Sequence, residues 1–158
     1  MTNEDFSARI IAMQRTLYRV TCTLLRSHAD REDAVQSAIE KAWRKRHTLR
    51  HTDKLAPWVT RILINECYAI LRRQVRETPV EALPEEPAPE GANSDLYRFF
   101  ASLPDTLRLT MVLHYLEGWD VKEISRIQRI PVNTVKSRLM RGREKMKENE
   151  SVLEVYGE

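Results

Sequence analysis

Glycine is scarce in this 158-residue sequence, at four residues, and aromatics make up only 7%. Sandwiches and barrels need glycine at tight turns and aromatics on pleated faces, so a strand-rich fold is disfavoured. Two cysteines, Cys22 and Cys67, are too few for a disulfide scaffold. Each sits in an apolar helical pattern and neither belongs to a C-x-x-C, which suits a reducing compartment, the cytoplasm. No run approaches the ~18 apolar residues of a spanning helix. The opening MTNEDFSARI carries acids and no apolar block of the secretory kind, so neither membrane insertion nor export is expected.

Catalytic motifs are also missing. There is no G-x-x-x-x-G-K-[ST], G-x-G-x-x-G or G-x-S-x-G. The acids Glu85 and Glu86 lie in a proline-rich stretch where nothing would raise a pKa. His47 and His51 are four residues apart, but no acid lies between them and their segment is polar. They read as surface histidines, not as a zinc pair. The chain is therefore expected not to be an enzyme, with no catalytic residue, no cofactor and no metal.

What is present is an uneven distribution of charge. The net charge is only +3. Residues 1–75 carry +6, residues 96–158 carry +2, and RETPVEALPEEPAPEGANSD (76–95) carries −5. That middle stretch holds four of the seven prolines. Proline removes backbone donors and fixes φ, so the stretch reads as a flexible acidic linker between two basic lobes.

Both lobes have helical periodicity. In the first, Phe6, Ile10, Met13, Leu17 and Leu24 share a face. Asp30 is placed to cap a second helix whose stripe is Ala34, Val35, Ala38, Ile39, Ala42 and Trp43. Residues 44–54 read as a polar loop, and a third helix starts near Pro57, with Val59, Ile62, Leu63, Cys67 and Ile70 inward. In the second lobe, Leu96, Phe99, Phe100 and Leu103 precede a helix from Asp105 with Leu109, Val112, Leu113 and Leu116 inward, stopped by Gly118. Asp120 caps a short helix bearing Ile124 and Ile127. After the turn 128–131, a last helix turns Val132, Val135, Leu139 and Met146 inward. The expected fold is all-α: two small helical domains joined by a Pro/Glu-rich linker, the C-terminal one a helix-turn-helix.

Residues 119–147 carry the clearest functional pattern. A short capped helix, a tight turn and a longer basic helix are what a helix-turn-helix requires. Lys136, Ser137, Met140 and Arg141 share the face opposite Val135 and Leu139, where long donors can reach base edges in a major groove. Arg138 adds to the basic surface, and Asn133 and Thr134 lie where first-turn amides can hold a phosphate. Residues 136–147 contain six bases and one acid, on about 18 Å of helix, a density that duplex phosphates reward through counterion release. The first lobe's last helix interleaves aromatics with bases, as single-stranded DNA binding requires. Trp58, Arg61, Asn65, Arg72 and Arg73 are the candidates there. The Asn65 amide can read a base edge. Trp58 is equally a core or a stacking residue, whereas Trp43 is expected in the core.

These residues resemble the extracytoplasmic-function (ECF) group of bacterial RNA polymerase sigma factors. DREDAVQSAIEKAW (30–43) resembles that family's polymerase-binding helix, LAPWVTRILINECYAILRR (55–73) the helix that engages the promoter's upstream-of-start element, and LPDTLRLTMVLHYLEGWDVKEISRIQRIPVNTVKSRLMRGREKMKE (103–148) the domain that reads the minus-thirty-five element. The chain departs from the usual pattern at Ser37, Ile39 and Asn133. The resemblance implies that Asp33, Val35 and Gln36, with Ile39 and Glu40 beside them, dock on the polymerase. It implies that Asn65 meets an unpaired non-template base, and that loop 44–54 helps form that base's pocket. The implied partners are core RNA polymerase, promoter DNA as duplex and as unpaired strand, and an anti-sigma factor. The implied location is the cytoplasm, at the nucleoid. Two other readings stay open from the residues alone: a stand-alone helix-turn-helix transcription regulator, and an adaptor that binds an acidic partner.

Overall fold

A computed structural model describes residues 1–77 and 94–149. Among these residues there are α-helices and short 3₁₀ turns and no strand. The chain divides into two compact units, Met1–Ala88 and Pro89–Glu158.

The first unit is a three-helix bundle of α1 (Asn3–Leu24), α2 (His28–Lys45) and α3 (Leu55–Glu77). Thr2 caps α1 in a reciprocal box with Asp5, its Oγ1 accepting from the Asp5 N–H at 3.0 Å. The cap of α2 is Ser27 rather than the expected Asp30. Ser27 Oγ accepts from the Asp30 N–H at 3.1 Å, which places Asp30 in the first turn. There its charge lies near the positive end of the helix dipole. The loop expected at 44–54 is shorter, because α2 runs to Lys45 and two 3₁₀ turns, Arg46–Thr48 and Thr52–Lys54, take up part of the rest. Pro57 sits in the first turn of α3, which opens two residues earlier at Leu55.

The core of this unit comes from Phe6, Ile10, Leu17, Val20 and Leu25, from Ala34, Ala38 and Ala42 of α2, and from Leu55, Val59, Leu63, Ile64, Cys67 and Ile70 of α3. The three alanines form a stripe of small residues against which α3 packs more extensively than any other pair of helices. Polar cross-links hold α2 and α3 at two levels. Lys41 pairs with Glu66, and Gln74 Nε2 donates to Asp30 Oδ2 at 2.5 Å. Arg31 is 2% exposed, and its Nε donates to the Leu25 carbonyl at 3.0 Å, just past the end of α1. Cys22 and Cys67 are free and buried. Burial pushes the Cys67 thiol from 9.0 up to about 12, with the Glu66 charge and Cys22 adding to the rise.

The predicted stripes need two corrections here. Met13, Leu24, Val35, Ile39 and Ile62 are half-buried. Trp43 is 38% exposed, with its ring against Phe6 of α1 and under the Arg46 guanidinium.

The second unit contains α4 (Ser94–Ser102), α5 (Asp105–Tyr115), α6 (Val121–Gln128) and α7 (Val132–Lys147). Thus α3 takes up Arg76 and Glu77 and α4 takes up Ser94 and Asp95 of the stretch read as linker. Its remainder, 78–93, lies outside the described residues. Phe99, Phe100, Leu103, Leu107, Leu109, Met111, Val112, Leu113, Ile124, Ile127, Val135, Leu139 and Met146 form the core, and α7 packs mainly on α5. Leu116 is only half-buried, and Val132, expected inward, is 36% exposed in the first turn of α7. Gly142 is buried where α7 crosses α5, in contact distance of Met111. Among the described residues, no helix is long and apolar enough to cross a membrane.

Candidate nucleic-acid interface

In the second unit, α6 and α7 are set by a short, fully anchored turn. Asp120 caps α6, its Oδ1 accepting from the Glu123 N–H at 2.8 Å. Arg129 ends the helix in the left-handed region, at φ 55°. The Ile130 N–H donates to the Ser125 carbonyl at 3.1 Å, and Ser125 Oγ donates to the Ile130 carbonyl at 2.6 Å. Gln128 Oε1 accepts from Thr110 Oγ1 at 2.7 Å, which ties the turn to α5. The angle at which α7 leaves the domain is therefore fixed from both sides of the turn.

Along α7, Val135, Leu139, Gly142 and Met146 face the core. Asn133, Lys136, Ser137, Met140 and Arg141 are exposed, and Thr134 and Arg138 are half-buried. Met140, an apolar side chain, is 54% exposed in the middle of this surface. Pro131 precedes the helix and provides no side-chain cap. The result is one outward face of cations, a hydroxyl and an apolar contact, on a helix whose opposite face is locked down. A major-groove reader uses such a face.

In the first unit, Trp58, Arg61, Asn65, Tyr68 and Arg72 recur at i, i+3, i+7, i+10 and i+14 along α3 and so share one face. Asn65 and Arg72 are exposed, Tyr68 is 40% exposed, and Trp58 and Arg61 are half-buried. Arg73 is exposed to one side of this stripe. On α2, Asp33, Gln36 and Glu40 form an exposed stripe, and Val35 and Ile39 are half-buried on its shoulder beside the alanine core.

At the end of α2 the loop expected to help form a pocket does line one, but its wall from α1 was missed by the sequence reading. A cavity of about 380 Å³ is walled by Asn3 and Phe6 of α1 and by Arg46, His47, Leu49 and Thr52 of the α2–α3 connection. The Arg46 guanidinium lies over the Trp43 ring at 3.6 Å. Its Nη1 donates to the Trp43 carbonyl at 2.6 Å and its Nε to Asn3 Oδ1 at 3.1 Å. Trp58, Arg61 and Asn65 are not among its walls. Asn3 and Arg46 are 43 positions apart, and no local pattern links them.

Comparison with known proteins supplies the family. Residues 10–77 match sigma-70 region 2, and residues 94–146 match sigma-70 region 4. The ECF RNA polymerase sigma-E factor of Escherichia coli (strain K12) is 32% identical over 135 residues, covering 73% of this chain and 71% of that protein. The chain belongs to the ECF sigma factors. The RNA polymerase sigma factor SigV of Bacillus subtilis (strain 168) is 26% identical over 133 residues, covering 81% of this chain and 80% of that one. Among solved structures, the sigma factor RpoE of Bartonella quintana, in complex with the anti-sigma factor NepR, superposes with a TM-score of 0.79. It is 26% identical and covers 97% of this chain and 99% of its own. CnrH, solved with the cytosolic domain of CnrY, shares the fold with a TM-score of 0.66 and 20% identity.

This ECF sigma factor is thus a transcription-initiation protein with regions 2 and 4 in order. The family identity sets aside the stand-alone regulator and the adaptor, since neither reading accounts for a region 2 ahead of the helix-turn-helix. Sigma factors generally act by binding and not by catalysis.

Proposed function

We propose that promoter recognition is divided between the two units. The N-terminal domain, residues 1–75 as read from the sequence, docks on core RNA polymerase through Asp33, Val35, Gln36, Ile39 and Glu40 of α2. Its α3 face, Trp58, Arg61, Asn65, Arg72 and Arg73, meets the upstream-of-start element as the duplex opens. The cavity beside residues 44–54 seats one unpaired non-template base. The C-terminal domain, residues 96–158 as read from the sequence, reads the upstream element in duplex form with Asn133, Thr134, Lys136, Ser137, Arg138, Met140 and Arg141. The protein acts by binding, in the cytoplasm at the nucleoid, and an anti-sigma factor, the class of partner seen with the Bartonella relative, restrains it.

One observation carries this reading: Lys136, Ser137, Met140 and Arg141 all stand outward on α7 while Val135 and Leu139 are buried. The energetics explain why polymerase is needed. Extruding a base costs a few kcal/mol, whereas stacking one base recovers about 1–3 kcal/mol. A single small unit gains little net energy from that exchange, so free protein binds promoters weakly and holoenzyme binds them well.

Run-off transcription with core polymerase and the full chain tests the assignment. Arg141→Ala is expected to lower promoter-specific output about tenfold, the loss of a good base contact, with polymerase binding intact. Asn65→Ala should reduce open-complex yield more than upstream-element binding. Failure of the wild-type protein to associate with core polymerase would overturn the whole division of labour.

A further inference from the structure

We propose that Asn3 and Arg46 form a two-part seat for a single unpaired base, in which the Arg46 guanidinium stacks on the base and the Asn3 amide selects keto bases, guanine or thymine, over amino bases. The proposal rests on the cavity beside residues 44–54 being the seat of an unpaired base, and adds to it the opening turn of α1.

The indole of Trp43 covers one face of the guanidinium, 3.6 Å from its centroid, and is itself braced by the Phe6 ring at 5.6 Å. Nη1 is engaged by the Trp43 carbonyl and Nε by Asn3 Oδ1. A cation bonded to the last turn of α2 also sits at the negative end of that helix's dipole, which favours this placement. Arg46 lines the cavity. With one face taken by the indole and two edge positions bonded, the cation can offer the cavity its second face and the remaining edge. Unpaired bases stack on arginine planes much as they do on aromatic rings.

Asn3 also lines the cavity. An arginine Nε can only donate, so the Asn3 atom that meets it is the carbonyl oxygen, and the amide's other end is a donor, Nδ2. A donor at the cavity wall suits the carbonyl oxygens of guanine (O6) and thymine (O4) and opposes the amino groups of adenine and cytosine. A volume of about 380 Å³ lies in the ordinary range for small-ligand sites, roughly 300–1,000 Å³.

The test uses holoenzyme made from the full chain and core polymerase, on templates pre-opened around the start of a promoter first mapped by run-off transcription. Each unpaired non-template position is varied through all four bases. The wild type is expected to prefer guanine or thymine at one position by about fivefold or more. Asn3→Ala should cut that preference below about twofold. Asn3→Asp keeps an acceptor for Arg46 but replaces the donor with an acceptor, so the preference should invert toward adenine or cytosine; a merely structural role for Asn3 predicts no inversion. Retention of the wild-type preference by both Asn3 variants would overturn the proposal. Arg46→Ala separates the two layers. If it weakens strand capture while the Asn3 variants change nothing, the cavity is the seat and Asn3 has no part in it. If it also changes nothing while polymerase association is normal, the cavity is not the seat and the proposal falls with that reading.

Discussion

Gly142→Ala is expected to destabilise the second unit, against the usual effect of that substitution in a helix. Alanine at a helix interior gains up to about 1 kcal/mol over glycine. Here the new Cβ would collide with Met111 Sδ and lie 2.8 Å from both Cγ and Cε of the same side chain. Carbon contacts are comfortable only at about 3.5–4.0 Å. Met111 is 0% exposed, so its flexible end has no solvent to swing into, and the contact at Cγ lies close to its backbone. Overpacking of this kind costs about 1–3 kcal/mol. Subtracting the helix gain leaves a net loss of up to about 2 kcal/mol, or up to roughly 15 °C in the melting temperature of a unit this small. Urea denaturation and calorimetry of the full chain measure it. The decisive control is the double variant. Met111→Ala alone should cost about 2–5 kcal/mol as a cavity, but Gly142→Ala on that background should cost nothing or help, giving a coupling of at least about 1 kcal/mol. A Gly142→Ala protein more stable than wild type, or additivity with Met111→Ala, would refute the packing argument.

Two further outcomes follow from the first unit. Cys67 keeps its proton in the folded state up to a pKa of about 12, against 9.0 when exposed, so stability is fully present below pH 9 and declines as pH rises from 9 toward 12; the span is on the order of 4 kcal/mol, and the melting temperature of Cys67→Ala should fall less steeply between pH 9 and 11 than that of the wild type. Arg31→Ala should cost about 3 kcal/mol in urea denaturation, because the change empties a buried site and strips the Leu25 carbonyl of its donor; a loss under about 1 kcal/mol would show that water replaces the guanidinium freely.

The helices and the outward face of α7 were legible because both follow from periodicity. Positions 135 and 139 are apolar and 136, 137 and 141 are polar, so a helix has only one way to divide them, and Met140 falls on the polar side by spacing. Caps were less legible. Ser27, Asp30 and Asp33 stand three apart and all suit an N-cap, so the register rested on which N–H found which oxygen. Trp43 was misplaced because periodicity gives the face a residue stands on and not how far its neighbours cover it, and the neighbours that meet this ring are Phe6 and Arg46. Gly142 passed unnoticed because a lone glycine in a helical pattern announces nothing until its neighbour across the interface, Met111, is known. The Asn3–Arg46 contact was illegible for the same reason: its meaning lies in a meeting of the first turn with the forty-sixth residue.

The clasps between α2 and α3, Lys41 with Glu66 and Asp30 with Gln74, have a consequence for protein engineering. The helix assigned to the enzyme and the helix assigned to the strand are fastened to each other by complementary side chains. A chimaera that imports α3 from another family member in order to change promoter choice would bring in unmatched ends at both fastenings. Such grafts should succeed when positions 30 and 41 travel with 66 and 74, and lose polymerase affinity along with the intended specificity when they do not.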